Sequence, residues 1–298
     1  MKRAVSMTCA GLLLVWAPLR AHHSFAAEFD VNKPLELEGT LKKWEMVNPH
    51  SWFHIDVKGP DGAVVTWMVE GGSPNQLIRM PAGMDFTIAA SVGLAYGTSY
   101  YALIERGQLQ SGETLLVLGA SGGVGLAAIE IGKILGARVI ACASTDAKLS
   151  VCRQHGADEL VNYAAEDMRA RVKALRDGNG VDVAYDPVGG AYSERALRDM
   201  AWGGRLLVVG FASGDIPKIP LNLPLIKGCS IVGVWWGAFA KRDWAQHQAN
   251  IGELGRWFAE GRIKPHIAAT YSLEQAAEAL NALARRTVTG KLILTTER

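Results

Sequence analysis

The chain has 298 residues, 49% of them hydrophobic and 20% charged, with a formal net charge of +2 and a pI near 8.3. That composition can fill the core of one large domain and a smaller one. The scattered lysines and arginines form no basic stripe, which excludes a nucleic-acid backbone as a partner. The cysteines Cys9, Cys142, Cys152 and Cys229 stand too far apart for a Cys-x-x-Cys metal or redox pair.

The first 21 residues, MKRAVSMTCAGLLLVWAPLRA, place Lys2 and Arg3 before an apolar run from Gly11 to Ala17 and end on a small residue. This is the pattern of a secretory signal peptide, with a run too short to span a membrane, so an exported or periplasmic location is expected if it acts. An upstream start codon is the alternative, and would leave the protein in the cytoplasm. Residues 22–79 form the next region, a small and partial β domain. LELEGTLKKWEM, SWFHIDVKG and AVVTWMVEGG read as strands, the last two joined through Pro60-Asp61-Gly62 as a hairpin. Four histidines, His22, His23, His50 and His54, invite a copper or zinc site only if the fold gathers them. Polar strand and terminus residues without metal are the reading kept, so no metal ligand is assigned.

From Met80 to the end, residues 80–298, the character changes. Ala89, Val92, Tyr96 and Tyr100 recur at helical spacing. Strands are then expected at TLLVLG (114–119), RVIACA (138–143), ELVN (159–162), VDVAYD (181–186), RLLVVG (205–210) and SIVGVW (230–235), with helices between most of them. Near-continuous apolar strands separated by helices imply an α/β fold, a doubly wound parallel sheet of the Rossmann type. A long helix through Trp244 and Trp257 follows, then a capping box Ser272-Leu-Glu-Gln275 ahead of a helix Ala276 to Arg285, and a last strand GKLILT (290–295).

The strand-turn-helix LLVLGASGGVG carries the chemistry. Ser121, Gly122, Gly123 and Val124 would meet a pyrophosphate at the positive end of the next helix, with Gly125 packing that helix on the strand and Ala120 in the usual first-glycine position. A Walker P-loop fails because Val124 stands where its second glycine is needed, and no tyrosine has the lysine four residues on that short-chain dehydrogenases use. About 20 residues later an acid would bond the ribose of NAD. Here Ser144 holds that place, with Lys148 one helical turn on, which suits the 2′-phosphate of NADPH. Asp146 keeps NAD open.

Together AYGTSYYAL, LLVLGASGGVGLAAIEIGKILGARVIA, GADELVNY, GVDVAYDPVGG, GGRLLVVGFASG and TGKLILT make residues 80–295 resemble the zinc-free quinone oxidoreductase branch of the medium-chain dehydrogenase/reductase superfamily. The resemblance implies NADPH-dependent hydride transfer to a quinone or an activated alkene or carbonyl. It would put Thr98 and Phe211 at the nicotinamide end, and Ser121 to Val124 at the pyrophosphate. Ser144, Lys148 and Tyr163 would surround the 2′-phosphate, with Val188 near the ribose. It also implies a homodimer through the edge strand Ser230 to Trp235. The family's GroES-like catalytic domain should precede the cofactor domain, and in its place stands a segment resembling small exported bacterial β proteins of unknown function. The chain reads as two partial genes joined near Met80, so no catalytic residue is assigned and activity is expected to be impaired. The alternatives are an inactive dinucleotide-binding module fused to an exported β protein, or an exported binding protein carrying a passenger.

Overall fold

The computed structural model describes residues 39–47, 50–58, 62–71 and 85–295. The expected signal peptide, His22, His23, Pro60, Asp61 and the junction around Met80 lie outside the described residues. Three strands, β1 (Gly39–Val47), β2 (His50–Lys58) and β3 (Val64–Gly71), form an antiparallel sheet in the order β1-β2-β3. The pair expected to form a hairpin is in register from Ser51 opposite Gly71 to Lys58 opposite Val64.

The main sheet is parallel and six-stranded. Its strands are β4 (Thr114–Val117), β5 (Arg138–Ala143), β6 (Glu159–Asn162), β7 (Val181–Asp186), β8 (Met200–Val208) and β9 (Ser230–Gly233), in the spatial order β6-β5-β4-β7-β8-β9. This order reverses between β4 and β7, and a crevice at the carboxyl ends of those two strands is where such sheets take ligands. The sheet is apolar on both sides because helices cover both. One buried cluster gathers Leu115, Val117, Val139 and Val183, and a second gathers Leu116, Ile140, Val161 and Ala184.

Helix α1 (Phe86–Tyr100) starts where Asp85 accepts the Thr87 amide at 2.8 Å. It buries Ala89, Val92, Tyr96 and Tyr100, the residues picked out by helical spacing. A π-helical turn, Tyr101–Arg106, continues it. The crossovers are α2 (Gly123–Ile134), α3 (Asp146–Gln154), α4 (Met168–Leu175), α5 (Ala191–Arg198) and α6 (Asn222–Lys227). After β9 come α7 (Trp236–Arg242) and α8 (Trp244–Ala259), separated by Asp243, whose carboxylate caps α8 at the Gln246 amide. Among the described residues no helix is long and apolar enough to cross a membrane.

Several boundaries differ from the sequence expectation. Strand β4 ends at Val117, because Gly119 takes a φ of +55° and turns the chain into the glycine loop. Strand β8 begins earlier, at Met200, and ends at Val208; β9 stops at Gly233, and the chain enters α7 at Trp236. The Ser272 to Gln275 capping box forms and leads through a short 3-10 turn into α9 (Ala276–Ala284). The last strand, β11 (Lys291–Thr295), pairs in parallel with β10 (Ile267–Ser272), a strand not expected from the sequence.

Candidate functional site

The glycine loop leaves β4 between two neighbours. Ala120 donates its amide to the Cys142 carbonyl of β5 at 3.0 Å, and Leu118 donates to the Tyr185 carbonyl of β7 at 3.0 Å. Gly122 is the N-cap of α2, and no side chain bonds the first turn of that helix. Its opening amides therefore have no side-chain acceptor of their own, and the Lys291 stem lies against Gly123. Gly125 is required by packing: a Cβ there would lie 2.6 Å from the carbonyl oxygens of Gly119 and Ala120. Across the reversal, Asp186 at the end of β7 accepts the amides of Val188 and Gly189, both at 2.9 Å, and the Ser193 hydroxyl. That turn brings Val188 over the loop, where its Cγ2 would stand 2.8 Å from a Cβ on Gly119.

Ser144, Lys148 and Tyr163 come together at the carboxyl end of β5. The Lys148 Nζ donates to Ser144 Oγ at 3.4 Å and to the Arg286 carbonyl at 2.7 Å. Burial holds the Tyr163 phenol above its ordinary pKa, opposed by a hydrogen bond with Ser144, and the ring leans on Tyr192 at 4.7 Å between centroids. Asp146 is engaged elsewhere, accepting Asn162 Nδ2 at 2.7 Å.

Thr98 lies half-buried in the last turn of α1. Its neighbour Ser99 ties that turn to the loop: Ser99 Oγ donates to the Val124 carbonyl at 2.9 Å and lies 2.9 Å from the Tyr185 hydroxyl. Phe211 packs against Gly189, its Cδ1 2.8 Å from where a Cβ there would be. No described hydrogen bond or ring contact links Thr98 to Phe211.

Sequence reasoning missed the segment that closes the loop from below. Gly290 donates its amide to the Ser121 carbonyl at 2.8 Å and forms an isolated parallel bridge with Gly122. Arg286, at φ +56°, offers its carbonyl to Lys148 and its guanidinium to the carbonyls of Ala212 and Ser213 at 3.2 and 3.3 Å. The pair Arg285-Arg286 before TGK was the available signal. Ser99 and Asp186 were also passed over, although an Asp before Pro-x-Gly-Gly at a strand end marks a side-chain-braced turn.

A cavity of about 490 Å³ opens at the carboxyl ends of β8 and β9, between Tyr101, Arg106, Val234, Trp235, Phe239 and Arg242. Tyr101 and Phe239 stack at 4.2 Å, and the Arg106 Nε donates to the Gly233 carbonyl. Among the described residues no group of three or more His, Cys, Asp or Glu could hold a metal ion.

The loop fits a diphosphate. Gly122 and Gly123 carry no side chain to obstruct it, α2 points an uncapped amino end at it, and Lys148 stands at the neighbouring strand end.

Known proteins match in the same places. A family described as zinc-binding dehydrogenase matches residues 123–251, and a family of unknown function (DUF6152) matches residues 11–87. The quinone oxidoreductase-like protein 2 homolog of Nematostella vectensis is 38% identical over 223 residues, covering 74% of this chain and 61% of that protein. The quinone oxidoreductase of Pseudomonas aeruginosa is 36% identical over 220 residues, covering 74% of this chain and 67% of that protein. Among solved structures, a quinone oxidoreductase of Pseudomonas syringae pv. tomato superposes with a TM-score of 0.69 at 30% identity, over 82% of this chain and 74% of that one. The chain thus spans about 61% of the length of the first of these relatives. On sequence and on fold, it belongs to the quinone oxidoreductase family of medium-chain dehydrogenase/reductases.

Proposed function

We propose that the chain is an NADPH-dependent oxidoreductase that passes hydride to a quinone or an activated alkene or carbonyl. The observation that carries this reading is the Ser144, Lys148 and Tyr163 group, an alcohol, an ammonium and a phenol with no carboxylate among them. Such donors match a 2′-phosphate, whereas the ribose hydroxyls of NAD call for an acid. The nearest acid in sequence, Asp146, is occupied by Asn162.

When bound, the dinucleotide supplies the hydride, and the protein supplies position. Ser121 to Val124 take the pyrophosphate, Val188 the ribose, and Thr98 and Phe211 the nicotinamide end. The aromatic-walled cavity at the ends of β8 and β9 supports a planar acceptor. A homodimer through β9 is part of the proposal. It is supported by the edge position of that strand and by the exposure of Ile231 at 40%, Trp235 at 64%, Leu225 at 79% and Trp202 at 84%. The compartment depends on whether residues 1–21 act as a leader, and fractionation with N-terminal sequencing of the expressed chain separates an exported from a cytoplasmic form.

Tryptophan fluorescence quenching by NADPH, followed by loss of NADPH absorbance with a simple quinone, tests the reading. Binding with turnover is expected. Binding without turnover replaces it with an inactive dinucleotide-binding module fused to an exported β protein. The absence of binding ends both.

A further inference from the structure

The cavity at the carboxyl ends of β8 and β9 has two arginines in its wall and no acid. Arg106 ends the π-helical turn that follows α1, and Arg242 ends α7. Each stands beside an acid in the chain, Arg106 after Glu105 and Arg242 before Asp243. In both pairs the acid turns to α8 and the arginine to the cavity. Glu105 Oε1 accepts Gln246 Nε2 at 3.1 Å and Asn250 Nδ2 at 3.3 Å, while Asp243 accepts the Gln246 amide at 3.0 Å.

The two guanidinium groups are left without a counter-charge. Arg106 gives its Nε to the Gly233 carbonyl at 3.1 Å, and among the described residues neither arginine makes an ion pair. Both side chains are exposed, so water holds them in the free chain. A molecule that fills the cavity displaces that water, and an anionic group offsets the loss where a neutral one does not. The rest of the wall is flat and apolar. Tyr101 and Phe239 stack at 4.2 Å with 14° between their planes, and Trp235 adds a third ring. At about 490 Å³ the space suits one small molecule.

The cavity wall continues into the two segments assigned to the nicotinamide end. Tyr101 lies three residues after Thr98, and Val208, also in the wall, three residues before Phe211. We propose that this cavity binds a flat molecule bearing a carboxylate, its ring against the aromatic wall and its carboxylate on Arg106 and Arg242, and that the hydride acceptor of this chain is of that class. This rests on the oxidoreductase reading above and narrows its acceptor. The planar fork of an arginine matches a carboxylate edge to edge. The carboxylate takes no part in the reduction: the acceptor gains the hydride and a proton from solvent, and its carboxylate leaves unchanged. A saturated arm separates it from the reduced bond, because a conjugated anion would oppose the arriving hydride.

The test is calorimetric binding of a naphthoquinone propanoate and of its primary amide to the full chain. The wild type should bind the acid more tightly than the amide, by roughly tenfold or more for a charge-assisted contact. Added salt should shrink that ratio, since the amide carries no charge to screen. Arg242→Gln should bring the ratio close to one, and Arg242→Lys, which keeps the charge without the fork, should fall between. A wild-type ratio near one overturns the proposal, as does a ratio that neither salt nor Arg242→Gln changes. Loss of NADPH absorbance with the acid is then measured separately. An acid that binds with the expected ratio but is never reduced overturns the oxidoreductase reading and the acceptor assignment with it, while the ratio itself still supports the carboxylate site.

Discussion

The amide of Gly290 donates to the carbonyl of Ser121 across 169 residues of chain at 2.8 Å, locking the return segment to the glycine loop. Gly290 is held at φ +69°, and a Cβ on it would stand 2.3 Å from the His266 carbonyl oxygen. No side chain fits there without moving β10 from β11. Gly290→Ala is therefore expected to cost roughly 2–4 kcal/mol, combining backbone strain with a clash against backbone. Urea unfolding measures it, and a midpoint equal to wild type would contradict the geometry.

Beneath the same segment, Glu130 and His155 make a buried pair, with Glu130 Oε1 2.7 Å from His155 Nδ1 and side-chain exposures of 7% and 10%. The other carboxylate oxygen accepts the Tyr96 hydroxyl at 2.7 Å and the Lys264 amide at 3.0 Å. Glu130→Leu leaves three donors without an acceptor, so a loss of about 3–5 kcal/mol is expected. Glu130→Gln keeps one acceptor oxygen and should lose less. Equal stability for the two variants would show that the donors find other partners.

Much of this architecture was legible in the sequence because it is local. The apolar runs of β4, β5 and β7 and the spacing of Ala89, Val92, Tyr96 and Tyr100 state their own structure. What escaped depends on distant partners. Strand β10, IAATYS, is short and half small residues, and becomes a strand only because β11 lies beside it. The opening of β8, MAWGG, reads as a turn because of its two glycines, yet Met200 pairs with Val181. Arg286 meets Lys148 across 138 residues, a relation that no spacing rule contains.

Asp199 sets a pH dependence of stability. It is 7% exposed, its Oδ2 has no hydrogen-bond partner, and Arg169 reaches only Oδ1, at 3.4 Å. Burial raises its pKa from 3.8 to about 6. Between those values the native state holds the proton that the unfolded chain releases, so this group's contribution to stability falls as pH rises from about 4 to about 6 and is flat above. Asp199→Asn should raise stability at pH above 7 by roughly 1–3 kcal/mol, the upper end being the full shift at about 1.4 kcal/mol per pKa unit. The advantage should vanish near pH 4. A variant less stable than wild type at every pH would show that the Arg169 contact outweighs the burial cost.

Cofactor choice is expected to turn on Ser144. Replacing its hydroxyl with a carboxylate, Ser144→Asp, puts a negative charge beside Lys148 Nζ, which now donates to Ser144 Oγ at 3.4 Å. A 2′-phosphate would then be repelled and a ribose hydroxyl accepted. NADPH affinity should fall by roughly a hundredfold, on the order of 3 kcal/mol, while NADH affinity holds or rises. Parallel titrations of both nucleotides decide it, and an equal loss of both would place Ser144 outside the discriminating contacts.

The edge strand β9 should govern assembly. It hydrogen-bonds to β8 on one side only and lies last in the sheet order, with Ser230, Ile231 and Gly233 exposed. Two copies related by a twofold axis would pair their β9 strands antiparallel, extending one sheet across both and covering Ile231 and Trp235. Ile231→Lys places a charge at the centre of that seam, and like charges would face each other across the axis. Sedimentation velocity should find a dimer for wild type and a monomer for Ile231→Lys, with nucleotide affinity within a few-fold because β9 lies four strands from the Lys148 site in the sheet order. A wild-type monomer, or a variant that remains dimeric, would move the contact away from this strand.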